Sequence, residues 1–419
     1  MRNNFFWLAA CSGCLLAVML FLVVSRTAPF QDAITWISKR AQSAAVFFVQ
    51  SITVAQIQSD YLGIKSADSA LASAGKVRIL IVPGHQPYAG GTEFGGVYER
   101  NIVVDIADAL AGLLTQNPHY DVMVARTKTA WNPVLQSYFD THFQEIEEFR
   151  RSQELQMEGY LASRSILPPV DRVYHIAAQT NAALQLYGIN KWSSENKYSI
   201  VLHLHINDYA GRSAHKAGTY DGFVIYAPDH QYSNAIASKA VGEAIAVRLN
   251  AYHATSTLPQ EAAGVVEDQE LIAIGSNNSV DGAALVVEYG YIYEPQFQQS
   301  SVQSAAIADY AYKTYLGLQD FFNDPIPTYG SMSFPYDWNE VTALRGESGP
   351  GIYALQSALH RLGYYPSSDD NFSDCPISGK VGLCTDNAIA AYQFARGLPA
   401  TGQLGPQTRA ALESDIAAL

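Results

Sequence analysis

Three apolar runs, each ending on a residue able to bind a metal or move a proton, constrain this chain most. Lys76–Val82 leads through Pro83-Gly84 to His85, Ser199–Leu204 leads to His205, and Ala284–Glu288 ends on Glu288 itself. Short continuous apolar runs read as buried strands, and α/β sheets carry their sites just past strand ends. Glu99 lies in Tyr98-Glu99-Arg100-Asn101, and after it Ile102, Val103, Ile106, Leu110 and Leu113 recur at helical spacing. A carboxylate in the first turn of that helix points back over the sheet edge. Two imidazoles and a carboxylate make a three-ligand zinc site with an open position, the arrangement used for metal-assisted hydrolysis. An acidic residue outside the ligand set is what such a site needs as general base and acid.

The order G-H, Glu near a helix start, H-x-N after a hydrophobic strand, then a late E-x-G resembles the zinc-dependent N-acetylmuramoyl-L-alanine amidases. These enzymes cut the bond between muramic acid and the stem peptide of peptidoglycan. The resemblance spans roughly residues 76–322 and implies zinc as cofactor, His85, Glu99 and His205 as its ligands, Glu288 as the catalytic residue and peptidoglycan as substrate. Arg126, after the strand-like Asp121–Ala125, matches a family arginine, and Gly222-Phe223-Val224-Ile225-Tyr226 resembles the strand that follows the second histidine. The chain also departs from the pattern. Val82 stands where the family usually has Asp, Gln86-Pro87 replaces Gly-Gly, and His203 replaces a Ser two residues before the second ligand histidine. Residues two apart on a strand face the same side, so His203 is the alternative ligand or a group behind the site. Asn207, at the family's spacing, favours His205. Arg126 reads equally as a salt-bridging surface residue and as a functional one. If it binds a terminal carboxylate, the alternative activity is a zinc peptidase acting on stem peptides. A catalytically inactive wall-binding protein is the alternative from outside the enzymes.

The remaining sequence divides by composition. Phe5–Val24 is a run of 20 residues without a charge, flanked by Arg2 and Arg26, and that length spans a bilayer. Residues 1–25 are therefore expected to be an uncleaved single-pass anchor in a bacterial membrane, holding Cys11 and Cys14, with the catalytic domain outside the cytoplasm; a cleaved signal peptide is the alternative. A juxtamembrane segment and linker, 26–75, follows, with an apolar stretch at Ala44–Ala55. Residues 76–322 are expected to form an α/β domain, a mixed twisted sheet flanked by helices. Within it, 131–165 reads as an insertion carrying Glu145, Glu147, Glu148, Glu154 and Glu158, with Ile146, Phe149, Gln153 and Met157 on one stripe. A solvated helix covering the sheet edge is the expected form. A lid whose glutamate reaches the zinc is the alternative.

Pro325, Pro327 and Pro335 mark 323–345 as a linker. In 346–419, Leu355-Gln356, Leu362-Gly363-Tyr364, Thr385 to Gln393, Gly397-Leu398 and Thr408 to Leu412 resemble the three-helix peptidoglycan-binding domain, with Thr385 capping the second helix. On this reading the bundle is a tethered module that raises effective concentration. Cys375 and Cys384 flank a short loop there, and beyond a membrane anchor they are expected to form a disulfide. A net charge of −13 argues against nucleic acid as a partner. No Walker loop or dinucleotide fingerprint is present, so no phosphate cofactor is implied. The sequence names no regulatory protein.

Overall fold

The computed structural model describes residues 56–59 and 76–418, apart from 170–172, 174, 176–177, 276–277, 279–281, 325–340, 369 and 371–373. The expected membrane anchor and nearly all of the juxtamembrane segment lie outside the described residues. No described helix is long and apolar enough to cross a membrane.

Among the described residues eight strands form in chain order: β1 (Val77–Pro83), β2 (Glu93–Phe94), β3 (Val97–Tyr98), β4 (Tyr120–Val124), β5 (Ile200–Asn207), β6 (Val224–Pro228), β7 (Val265–Asp268) and β8 (Ala283–Tyr291). Six of them make one sheet in the order β4-β1-β5-β8-β6-β7, while β2 and β3 make a small hairpin. β4, β1, β5 and β8 run parallel; β6 pairs antiparallel with β8, and β7 lies parallel to β6. The sheet is thus mixed, as the sequence implies. Its central strands are covered on both faces, which is why they are apolar almost without interruption rather than alternating. Along β5 only His205 is less than fully buried.

Helices cover both faces. α1 (Glu99–Leu114), α5 (Ala235–Asn250) and α7 (Ser300–Phe322) lie on one side, and Ile106, Leu110, Val241 and Tyr310 pack there against Ile81, Leu202 and Leu285. α2 (Pro133–Thr141), α3 (Phe143–Ala162) and α4 (Thr180–Glu195) lie on the other, where Phe139, Ile146 and Trp192 meet Leu80, Val201 and Val286. A one-turn α6 (Pro295–Gln298) leads into α7. Each fully buried Leu or Ile contributes about 1.5–3 kcal/mol. Truncating Leu202, which is wholly inaccessible, costs about 2–5 kcal/mol because a cavity is left as well.

The expected insertion forms α2 and α3. Ile146 is the only buried residue of the twenty in α3, and the Phe149 ring meets Tyr187 of α4 edge-on. Glu145 pairs with Lys191, Glu147 with Arg151 and Glu154 with Arg150. These contacts make it a solvated helix laid on α4. Three of its glutamates are thereby paired with lysine or arginine, and these contacts lend the lid alternative no support.

The C-terminal helices are α8 (Pro350–Arg361), α9 (Leu383–Ala395) and α10 (Pro406–Ala417). Two motif glutamines staple the loops between them. Gln356 donates to Lys380 O and Thr385 Oγ1 and accepts from Gly379 N. Gln393 donates to Gln403 O and Thr408 Oγ1 and accepts from Gly402 N. Thr385 is therefore not the cap: its helix starts two residues earlier at Leu383, and its hydroxyl is spent on Gln356. Cys375 and Cys384 form the expected disulfide.

The expected tether needs correcting. α8 packs on α7, and Ile352, Tyr353, Leu355 and Leu359 share one continuous core with Val302, Tyr310 and Leu316 of the α/β domain. Of the expected linker, Val341 and Ala343 are buried in that same core, and 325–340 lies outside the described residues.

Candidate active site

The parallel strands end together, and the chain that leaves them builds the site. β1 runs into Gly84 and His85, with Gly84 N donating to Leu204 O at 2.8 Å. A Cβ on Gly84 would lie 2.4–2.7 Å from atoms of the His205 ring, so only glycine lets the two segments approach. His85 holds φ = 68°, a left-handed conformation that costs a β-carbon residue energy and turns its side chain back toward the sheet.

Three donors converge on one point. His85 Nε2 and His205 Nδ1 each lie 2.9 Å from the same carboxylate oxygen, Glu99 Oε1. The two imidazole rings stand edge to face with centroids 4.8 Å apart. The other Glu99 oxygen accepts from Thr92 N at 2.8 Å, and Oε1 also accepts from Ile206 N at 3.1 Å. Thr92 Oγ1 in turn meets Asp208, which Arg212 grips through Nε and Nη2. Glu99 is 3 % exposed. Burial alone would raise its pKa, but the charges and hydrogen bonds of His85 and His205 outweigh that and hold it well below the usual carboxylate range. The His205 pKa is lowered, chiefly by burial, with Glu99 opposing.

His203 does not join the three. It is completely buried, neither ring nitrogen has a hydrogen-bond partner, and burial, with His205 nearby, pushes it down to about 3. It is a neutral imidazole between the site and the second core, flanked on the neighbouring strands by Val82 and Val286.

Glu288 sits beside His205 on β8 in direct register and is not one of the converging donors. Its Oε2 is buried without a hydrogen-bond partner. Burial, then the negative charges of Glu99 and Glu261, raise its pKa well above the ordinary value. A carboxyl that holds a proton this readily, next to a cluster of residues able to hold a metal, suits general acid–base work.

Arg126 is neither a surface residue nor a free cation. At 1 % exposure it donates to Pro83 O, Gly84 O, Arg100 O and Thr127 O. Its guanidinium ties together the loop that carries His85 and the first turn that carries Glu99. Burial lowers it to about 10, with Glu99 opposing. Four of its five N–H groups are thus engaged by backbone carbonyls, and the guanidinium is buried away from a substrate carboxylate.

Glu261 is the residue that sequence reasoning misses. It is 1 % exposed and accepts from Asn207 Nδ2 with both oxygens at 3.1 Å, from Tyr226 OH at 2.6 Å, from Tyr291 OH at 2.8 Å and from Ser256 Oγ. It knots the ends of β5, β6 and β8 around Glu288. Asn207 thereby gains a role: it positions a strand end. Glu261 follows a turn with no periodic pattern around it, so nothing local marks it.

A family model described as N-acetylmuramoyl-L-alanine amidase matches residues 79–320, more than half of the chain. The chain belongs to that family. A second model, a putative peptidoglycan binding domain, matches residues 348–412. Among solved structures, the chain is similar to the N-acetylmuramyl-L-alanine amidase Ami1 from Mycobacterium smegmatis, at 12 % identity over 59 % of this chain and 98 % of that one, with a TM-score of 0.39. It is also similar to the CwlD amidase from Clostridioides difficile, solved in complex with the GerS lipoprotein, at 12 % identity over 59 % and 99 %, TM-score 0.38. A third is AmiC2 of Nostoc punctiforme, at 14 % identity over 59 % and 98 %, TM-score 0.35. No curated protein matches the chain closely enough to report. The family assignment rests on the model that matches residues 79–320.

The residues present fit a zinc ion. Tetrahedral donors at ~2.0–2.2 Å from zinc stand about 3.3 Å from one another, close to the separation of the imidazole nitrogens from Glu99 Oε1. His85 Nε2 is buried and finds no hydrogen bond despite that short approach. Gly91 lets the chain pass close, since a Cβ there would come within 3.2 Å of Glu99 Oε2. The described residues hold one other group of this type, Asp229, His230 and Glu267, on the surface.

Proposed function

We propose that the chain hydrolyses the amide bond between N-acetylmuramic acid and L-alanine in peptidoglycan with a zinc ion held by His85, Glu99 and His205, and that Glu288 is its acid–base residue. The observation that carries this reading is the meeting of two imidazole nitrogens at one carboxylate oxygen, beside a carboxyl group that has an unpartnered buried oxygen. The chemistry a zinc ion supplies in such a setting is Lewis acidity toward an amide carbonyl and toward water. Ionised Glu288 takes a proton from the water that forms the new C–O bond. It returns that proton to the amide nitrogen as the C–N bond breaks, so the products are a carboxylic acid and a free amine. Its raised proton affinity suits holding the proton between those steps. Glu261, Asn207 and Arg126 keep the strand ends and the His85 loop fixed while this happens.

The peptidase reading needs a cation for a terminal carboxylate, and Arg126 was its candidate. With the guanidinium buried and four of its N–H groups held by backbone carbonyls, the support for that reading falls away. The disulfide between Cys375 and Cys384 suits an oxidising compartment. With Phe5–Val24 as an anchor, this is the outer side of a bacterial membrane. Digestion of purified peptidoglycan by the zinc-loaded full chain, followed by mass spectrometry of the soluble fragments, tests the reading. Stem peptides beginning with a free L-alanine amine support it. Cuts inside the peptides or between sugars refute it.

A further inference from the structure

The seam between the α/β domain and the helical domain is built from both sides. Gly379, at φ = 66°, lies against α7: a Cβ there would come within 2.5 Å of Val302 Cγ2. Gln299 Nε2 donates to Ser378 O at 3.3 Å. Beneath α8 lies a set of buried charged groups. Asp309 is 3 % and Lys313 1 % exposed. Lys313 Nζ is 3.4 Å from Asp309 Oδ1 and 3.4 Å above the centre of the Tyr252 ring. His253 Nε2 is 2.7 Å from Asp309 Oδ2, and its ring lies 4.6 Å from Tyr310 and 6.3 Å from Tyr353 of α8. Buried ion pairs weigh little for stability, and their best-attested use is to specify one arrangement. A lone α/β domain would bare part of this face to water, and Tyr353, itself 1 % exposed, is the ring that meets His253 from across the seam.

We propose that the helical domain rides as a rigid part of the α/β domain, so that the peptidoglycan-binding surface stands at a fixed offset from the metal-ligand cluster. Under this arrangement residues 325–340 set no reach. A tethered module behaves otherwise, because its effective concentration changes with linker length. The functional half of the inference rests on the peptidoglycan reading of both domains; the docking half does not.

The experiment uses the zinc-loaded full chain with Gly-Ser inserts of about 10 and about 20 residues within 325–340. Solution X-ray scattering should show no growth in radius of gyration with insert length. Digestion of insoluble wall should stay within about twofold of the parent chain. Growth in size with each insert, or a several-fold change in digestion rate with length, overturns the proposal. Val302→Asp, which puts a charge into the seam, should make both readings depend on insert length. If that variant does not fold, the insert series on the native seam still decides. Compact chains that cut no wall in any form would refute the amidase reading and leave the docking standing.

Discussion

Two groups in this molecule offer a metal the same kinds of donor, imidazole and carboxylate, and their surroundings separate them. In the inner group, His85, Glu99 and His205 come from a strand end, a helix start and a second strand end, and the Glu99 side chain is 4 % exposed. In the outer group His230 is 72 % exposed, with its Nδ1 3.4 Å from Asp229 Oδ1 and 2.7 Å from Glu267 Oε2. The outer carboxylates are already committed: Lys239 Nζ sits 3.2 Å from Glu267, and Asp229 accepts from Gln231 through its backbone and side-chain nitrogens. Binding there would displace a lysine and order a solvated imidazole. At the inner group the backbone has ordered the donors beforehand, and buried atoms stand ready without partners. Residue type is shared; preorganisation and burial make the difference.

Glu288 should show the largest effect, because only the inner group has such a neighbour. Glu288→Gln should lower kcat by roughly 10²–10⁴-fold while zinc content and fold are kept. Single-turnover assays beside metal analysis check it, and near-normal turnover would reduce the inner group to a metal site without a catalyst. Removing His203 sharpens the comparison from another side. His203→Leu should keep zinc binding and stability within about 1 kcal/mol of the parent, since it replaces an imidazole without partners. Loss of zinc in that variant would mean that His203, not His205, is the ligand.

Glu261→Gln should act chiefly on stability, by about 3 kcal/mol, because an amide cannot accept from every donor that now converges on the carboxylate. Chemical denaturation measures it, and an unchanged midpoint would show that the knot around Glu288 is dispensable.

A further effect depends on pH. Glu294 accepts from Gly222 N and Tyr291 N with Oε1 and from Gln296 Nε2 with Oε2, and burial raises it to about 7. Between its ordinary pKa and about 7 the folded state holds more protons than the unfolded chain. Stability is therefore full below about 4.5 and is lost as pH rises toward about 7, by up to roughly 3 kcal/mol. Glu294→Gln should flatten that slope, since Gln296 Oε1 is buried without a partner and a turned Gln296 amide can accept from the new side chain. Thermal melts from pH 4.5 to 8 check it. A variant with the same slope as the parent would place the dependence elsewhere.

The inner group was legible because its donors sit at the ends of apolar strands, where local pattern and site coincide. His85, Glu99, His205 and Glu288 could be named from the runs that deliver them, and α3 from the stripe of Ile146, Phe149, Gln153 and Met157 in a glutamate-rich segment. Glu261 could not, because its five hydrogen bonds come from β5, β6, β8 and a nearby loop that only the folded sheet brings together. The seam was hidden for a related reason. Nothing in the sequence marks Asp309 and Lys313 as buried, and the Pro-rich 323–345 suggested separation. A linker's composition says nothing of whether its two ends dock. Arg126 was half legible: its place after a strand could be seen, but not that four backbone carbonyls claim it.

Zinc stoichiometry tests the central claim most directly. Metal-free full chain, titrated with zinc by calorimetry beside its His205→Ala and His230→Ala variants, should bind one tight equivalent that vanishes with His205 and persists with His230. A tight equivalent that survives His205→Ala, or disappears with His230→Ala, would contradict the assignment of the metal centre to His85, Glu99 and His205.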